Sequence, residues 1–309
     1  MESATLSSVP QTLGPYRLLE RIDKRAEVFR ARHEILDRDV VVKVVREGET
    51  GEAWLRFERE ARAAARVQHP RVVQVFDFGH EGEIGYLAQE LVVGRPLNER
   101  LEEGTLEASA WLRLGRGLAA GLAAIHQAEL VHRDLKPANV IVDDEGWPTI
   151  IDFGLVRDLD ASTRLTATGQ LLGTPLYTAP EQARGDANQV LPAADVYALG
   201  CLLHEAWVGL VPHQDEDRSL RAFLRRRARG ELCLASNAPC PALLAHLLDP
   251  DPSLRPSALE VERTLNAVNE DQVLGGEAAV ATTRIGIQTV EEPEHPAPPP
   301  PTSMPHGPA

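Results

Sequence analysis

The sequence predicts an α+β fold, with a small β-rich N-terminal part and a larger helical C-terminal part. Three observations carry that expectation. Strand patterning dominates from Tyr16 to Val93 and is densest in Val40-Val41-Val42-Lys43-Val44-Val45, where β-branched side chains suit a packed, pleated surface. Helical periodicity dominates from Leu106 to Ala128, with Trp111, Leu114, Leu118, Leu122 and Ile125 on one apolar stripe. A short hairpin follows: Val140-Ile141-Val142 runs out, Asp143-Asp144-Glu145-Gly146 turns, and Thr149-Ile150-Ile151 returns.

With 309 residues there is room for one large or two small lobes and a substantial core. The composition is globular, at 43% hydrophobic and 25% charged. A net charge of -14 argues against general nucleic-acid binding, because such a chain repels a phosphate backbone. The three cysteines, Cys201, Cys233 and Cys240, match no zinc-ligand spacing and fit a reducing cytoplasm. Met1 to Pro10 lacks the basic and apolar regions of a signal peptide, and no apolar run is long enough to span a membrane.

Taken in order, residues 1–15 read as a flexible polar arm. Tyr16 to Ile22 and Val28 to Arg32 are strand-like, joined by the glycine-free connection Asp23-Lys24-Arg25-Ala26-Glu27. In the next strand Val41 and Lys43 share a face by period-two alternation. Glu52 to Val67 is rich in alanine, glutamate and arginine and ends before His69-Pro70, which predicts a helix. Ala53, Phe57, Glu60, Ala64 and Val67 share one side of it, so Glu60 lies on a mostly apolar stripe. Val72 to Phe78 and Ile84 to Val93 read as two strands joined at His80-Glu81-Gly82-Glu83. Gly94-Arg95-Pro96 then turns the chain toward the helical part.

Trp111 belongs to the apolar stripe of the long helix and is expected in the core. Beyond it lies His132-Arg133-Asp134-Leu135-Lys136-Pro137-Ala138-Asn139, with Asp152-Phe153-Gly154 one hairpin later. The hairpin can bring Asp134, Asn139 and Asp152 to one end of its strands. Two carboxylates and an amide, with Lys136 close by, suit phosphoryl transfer from a metal nucleotide. Another helix opens at Asp195-Val196-Tyr197-Ala198-Leu199-Gly200. Arg218, Arg221, Arg225, Arg226, Arg227 and Arg229 cluster in one helix-prone segment, read first as a solvated face and second as a docking site for an acidic partner. Cys201 and Cys233 sit beside apolar residues and read as small core hydrophobes. From residue 271 to 309 the chain is acidic and proline-rich, a flexible tail.

The two-part signature from His132 to Asn139 and from Asp152 to Gly154 resembles the catalytic and metal-binding loops of eukaryotic-type protein kinases, and Lys136 resembles the serine/threonine branch. Agreement with this family, in its bacterial Hanks-type form, extends from about Tyr16 to Val268. The resemblance implies a bilobal protein-kinase-like fold over residues 16–270, with an N-lobe over about 16–92 and a C-lobe over about 93–270. It implies ATP and magnesium, with manganese as a substitute. Lys43 is then the phosphate-binding lysine, oriented by Glu60, and Asp134 orients the attacking hydroxyl. Lys136 stabilises transferring charge, while Asn139 and Asp152 are metal ligands. Ile22, Val28, Val41, Gln89, Glu90, Val92 and Ile141 surround the nucleotide, with Gln89 at the back of the adenine pocket and Ile141 as its floor. His132 packs structurally beneath the loop, Asp195 holds its backbone, and Arg255 pairs with Glu181 in a buried bridge.

The family usually carries a glycine-rich loop over the phosphates where this chain has Asp23 to Glu27, and that connection is about two residues short. Val41 stands where alanine is usual. These departures raise the alternative of a pseudokinase, or very weak kinase, acting as a scaffold or allosteric regulator. By resemblance, Arg133 pairs with a phosphorylated loop residue, for which Thr166 and Thr168 are candidates and Thr163 stands close behind. Thr174 resembles the threonine that contacts the catalytic aspartate. Thr282, Thr283 and Thr289 are either ordinary linker threonines or docking marks for a phosphothreonine-reading partner. The expected partners are protein substrates, the expected compartment is the cytoplasm, and nothing in the sequence sets an oligomeric state.

Overall fold

The computed structural model describes residues 9–23, 26–46, 51–82, 84–152, 175–184, 191–212, 220–230 and 234–274. It is bilobal, with a small sheet-rich N-lobe and a larger helical C-lobe. Strands β1 (Thr12–Leu13), β2 (Tyr16–Asp23), β3 (Val28–His33), β4 (Arg38–Arg46), β5 (Val75–Glu81) and β6 (Ile84–Glu90) form one antiparallel sheet in the order β1-β2-β3-β4-β6-β5. The valine run occupies β4, the strand buried on both faces. Val40, Val42 and Val44 pack outward with Tyr16, Tyr86 and Ala88, whereas Val45 joins Leu87 and Phe57 in the main core. Alternation therefore puts Val41 and Lys43 on the inner face.

Helix α1 (Gly51–Ala64) packs that inner face through Phe57, Ala61 and Ala64, all buried. After it, Val72 and Val73 leave the N-lobe. Val73 N donates to Ile150 O, and Ile150 N donates to Arg71 O, both at 2.9 Å. The strand expected from Val72 thus starts at Val75, because residues 71–73 bond to the C-lobe hairpin instead. One hydrophobic core consequently runs through both lobes.

Gly94 joins them at φ +152°, where a Cβ would sit 2.4 Å from Val142 O. Only glycine fits that approach. A small sheet follows from β7 (Arg95–Pro96), β8 (Val140–Val142) and β9 (Pro148–Ile150). Helix α2 (Leu97–Glu102) leads to α3 (Ala108–Gln127), whose apolar stripe is fully buried, and Trp111 Nε1 donates to Leu203 O at 2.8 Å. Then come α4 (Pro180–Ala183), α5 (Pro192–Val208), α6 (Leu220–Arg229), α7 (Pro241–Leu247), α8 (Ala258–Ala267) and α9 (Glu270–Leu274). Gly209 ends α5 in the left-handed region at φ +86°. Ser257 and Glu260 close a reciprocal capping box at the start of α8. Among the described residues no helix is long and apolar enough to cross a membrane.

Candidate active site

The loop between α3 and β8 is held from below by one carboxylate. Asp195, in the first turn of α5 and 1% exposed, accepts from His132 N at 2.7 Å and Arg133 N at 2.8 Å. His126 Nε2 adds a 2.9 Å contact to the same group. His132 is itself buried, with Nε2 3.2 Å from Ile151 O and Nδ1 accepting from Asp134 N at 3.3 Å. These are structural bonds, and they leave His132 no route to solvent chemistry. They also hold an unfavourable backbone, since Arg133 and Asp152 both sit at φ +65°. Non-glycine residues persist there only when their surroundings over-determine them.

Three expected residues meet on this loop. Asp134 Oδ2 accepts from Lys136 Nζ at 2.8 Å and from Asn139 Nδ2 at 3.1 Å, and Asn139 also donates to Asp134 O at 2.8 Å. The Pro137–Asn139 3-10 turn brings Asn139 back toward Asp134, and Ile151 N donates to Asn139 O at 2.9 Å. That last bond ties the loop to the residue before Asp152.

Lys43 is 7% exposed on β4 and forms an ion pair with Asp152. Burial pushes the Asp152 carboxyl up, but the Lys43 ammonium, with His132 and Lys136 beyond it, holds the net value below the usual carboxylate range. Glu60, on α1, lies 3.7 Å from Arg133 Nη1. Lys43 thus pairs with Asp152 and Glu60 with Arg133, where the resemblance leads to a Lys43–Glu60 pair. Sequence position alone does not choose which carboxylate each of these cations meets.

Of the residues expected around the base, Val28, Val41 and Gln89 lie on the same inner face as Lys43. Val28 and Leu87 flank Lys43 in the ladders, and Gln89 lies across from Val41. Val41 and Gln89 are 7% and 4% exposed. Glu90 is exposed, with its backbone N donating to Gln74 O at 2.9 Å. Val92 and Ile141 are half-buried, and Ile22 is half-exposed near the end of β2. There the short turn is closed by side chains. Asp23 Oδ1 accepts from Ala26 N at 3.2 Å, and Arg21 Nε donates to Asp23 O at 2.9 Å and Ala26 O at 3.2 Å. Lys24 and Arg25 lie outside the described residues.

Asn139 and Asp152 offer hard oxygen donors, and no cluster of three or more His, Cys, Asp or Glu suited to a metal occurs among the described residues. Two such oxygens suit magnesium, which takes one or two from protein and completes its shell with water and phosphate. A separate cavity of about 250 Å³ lies between α2, α3 and the β8–β9 turn and includes none of the expected site residues.

The sequence missed Arg227. Its charge pattern places it on a solvated arginine face, yet it is 0% exposed. Its Nη1 donates to Leu176 O at 2.6 Å and Thr178 O at 3.2 Å, and Nη2 to Pro212 O at 3.3 Å. The guanidinium lies 4.6 Å from the Phe223 ring centroid. Phe223 is the available clue: one helical turn earlier, it marks the buried face of α6. Tyr177 between these carbonyls donates to Glu205 at 2.5 Å, so α5 and α6 together clamp residues 176–178. The Glu181–Arg255 bridge is present as expected, bidentate at 2.7 and 2.8 Å. Phe153, Gly154, Thr163, Thr166, Thr168, Thr174, Cys233, Thr282, Thr283 and Thr289 lie outside the described residues.

The family model for the protein kinase domain matches residues 24–265. The chain is 40% identical over 202 residues to the serine/threonine-protein kinase PknL of Mycobacterium tuberculosis, covering 64% of this chain and 50% of PknL. It is 36% identical over 208 residues to the serine/threonine-protein kinase PrkC of Bacillus subtilis, covering 66% and 32%. Against the DNA damage-responsive serine/threonine-protein kinase RqkA of Deinococcus radiodurans it is 39% identical over 220 residues, covering 68% and 33%. The matched region spans a third to a half of these relatives' lengths.

Proposed function

We propose, from the premise that this chain belongs to the bacterial Hanks-type serine/threonine protein kinase family, that it transfers the γ-phosphoryl group of ATP to serine or threonine hydroxyls of proteins. The observation that carries this reading is the joint bonding of Asp134, Lys136 and Asn139 in one loop. Asp134 orients the acceptor hydroxyl and receives its proton as that oxygen bonds to phosphorus and ADP leaves. Lys136 places a cation where charge moves onto the transferring group. Asn139 and Asp152 would hold magnesium, or manganese in its place. The ion, when bound, neutralises phosphate oxygens. Lys43 exchanges Asp152 for phosphate as nucleotide enters, and Glu60 steadies it in that position. Ile22, Val28, Val41, Gln89, Glu90, Val92 and Ile141 enclose the nucleoside.

The protein phosphorylates itself as well as partner proteins in this reading, with Thr166, Thr168 and Thr163 as the first sites. Tail phosphorylation at Thr282, Thr283 or Thr289 then recruits a phosphothreonine reader, and the working compartment is the cytoplasm. The glycine-free turn closed by Asp23 and Arg21 favours one rival, a pseudokinase or very weak kinase acting through its partners. Magnesium-dependent transfer of labelled phosphate to the protein and to a generic basic substrate decides between them, with D134N and K43M beside it. Transfer lost in both variants supports the kinase. Absence of transfer together with absence of an ATP-dependent thermal shift refutes it.

A further inference from the structure

The cavity of about 250 Å³ between α2, α3 and the β8–β9 turn lies apart from the candidate active site. Leu97, Leu106, Leu114 and Val142 form its apolar floor, and its mouth opens to water, since Arg95 and Asp144 on the rim are both exposed. Its volume falls below the roughly 300–1,000 Å³ of pockets that take drug-sized ligands, and suits a pair of aliphatic side chains instead. The rim is electrostatically one-sided. Glu103 lies 2.8 Å from Arg95 and 3.8 Å from Arg100, so one carboxylate already faces both arginines. On the turn, Asp143 accepts from Glu145 N at 3.0 Å and Trp147 N at 2.8 Å, and lies 3.8 Å from Arg71. Arg113 on α3 donates to Glu145 O and holds the turn in place. Asp144 is thus the carboxylate presented outward. A ligand for this groove joins neighbouring apolar side chains to a cation at one end.

The chain carries such a segment. In residues 275–309 the one lysine or arginine is Arg284, and Ile285-Gly286-Ile287 follows it directly. In an extended segment Ile285 and Ile287 point the same way, and glycine between them permits close backbone approach. The segment is also within reach. Helix α9 packs against α3, and Arg116 of α3 donates to Leu265 O at 3.0 Å and Val268 O at 2.7 Å. Leu114 of the groove floor lies two residues before Arg116, and Leu274 six residues beyond Val268, mostly helical. These steps put Leu274 within about 30 Å of the groove, and residues 275–284 span up to about 33–36 Å.

We propose that Arg284-Ile285-Gly286-Ile287 docks intramolecularly in this groove, with Ile285 and Ile287 on the apolar floor and Arg284 at Asp144. The tether raises the local concentration of the segment to about the millimolar range, so weak contacts suffice. Docking does not depend on phosphoryl transfer and stands apart from the kinase reading.

Hydrogen exchange of the full chain, read by mass spectrometry over residues 281–290, tests the docking. Wild type exchanges these amides about five-fold more slowly than Ile285→Asp/Ile287→Asp, which corresponds to a docked fraction of about four-fifths. Asp144→Lys lowers the protection, and adding Arg284→Glu restores it, because opposite charges then face each other again at the same place. Asp144 is exposed, so the melting midpoint of Asp144→Lys stays near that of wild type. Exchange equal in wild type and Ile285→Asp/Ile287→Asp overturns the proposal. Protection unchanged by Asp144→Lys overturns it too, and puts the segment elsewhere on the protein. Protection that falls on dilution overturns intramolecular docking in favour of a second copy of the chain.

Discussion

Replacing Arg255 by methionine removes one half of the bridge to Glu181, and the geometry sizes the cost. The Arg255 side chain is 0% exposed and that of Glu181 10%. Besides the two charged contacts at 2.7 and 2.8 Å, Arg255 donates to Asp249 O at 2.7 Å and Ala193 O at 3.0 Å. Removing the cation strands a buried carboxylate, which costs about 3–5 kcal/mol. Removing Glu181 instead leaves Arg255 with its two carbonyl acceptors, so Glu181→Met falls at or below the lower end of that range. The double variant Glu181→Met/Arg255→Met strands neither charge and lies closer to wild type than Arg255→Met does. Urea unfolding followed by tryptophan fluorescence provides the readout. At a slope of about 3 kcal/mol per molar, Arg255→Met shifts the midpoint down by about 1–1.7 M. A double variant no more stable than Arg255→Met would refute the reasoning, since the two side chains would then contribute independently.

Arg227→Met removes the donors to Leu176 and Thr178 and is expected to cost about 1.5–3 kcal/mol, the range for a hydrogen bond to a charged group. Limited proteolysis should then cut near residues 175–178, and a cleavage pattern unchanged from wild type would count against the clamp. The Lys43–Asp152 pair has a defined pH signature. Because the folded Asp152 pKa is depressed, its contribution is present above the ordinary carboxylate range and is lost as pH falls through the folded value. The stability gap between wild type and Asp152→Asn should therefore be flat near neutrality and close only in acid, and a gap that closes near neutral pH contradicts this. Burial pushes the Cys240 thiol up to about 11 and raises that of Cys201, which Arg227 only partly offsets. Both should resist alkylation at pH 8 until the protein unfolds, as mapped by mass spectrometry, and rapid labelling of either in the native state would contradict their burial.

Much of the fold could be read from local pattern. The valine strand, the α3 stripe and the core position of Trp111 follow from periodicity, because burial selects side chains at the spacing of the element that carries them. The loop holding Asp134, Lys136 and Asn139 was equally legible, since those residues lie within one short stretch and need only a tight turn to meet. The roles of His132 and Asp195 were also anticipated, through resemblance rather than spacing. Strand ends were less legible. Val72 and Val73 have strand composition, yet they bond to β9, a partner 77 residues away in sequence for the Val73–Ile150 pair.

By itself the sequence determined most element types, the inward faces of β4 and α3, and the close grouping of Asp134, Lys136 and Asn139. All of these depend on side-chain identity and short-range geometry. Only the tertiary structure decided how charges at long sequence separation are partnered. It joined Lys43 to Asp152 and Glu60 to Arg133, and buried Arg227 beneath residues 176–178. Charged side chains are long and nearly indifferent to which opposite charge they meet. Their partners are set by which backbones the fold brings within reach.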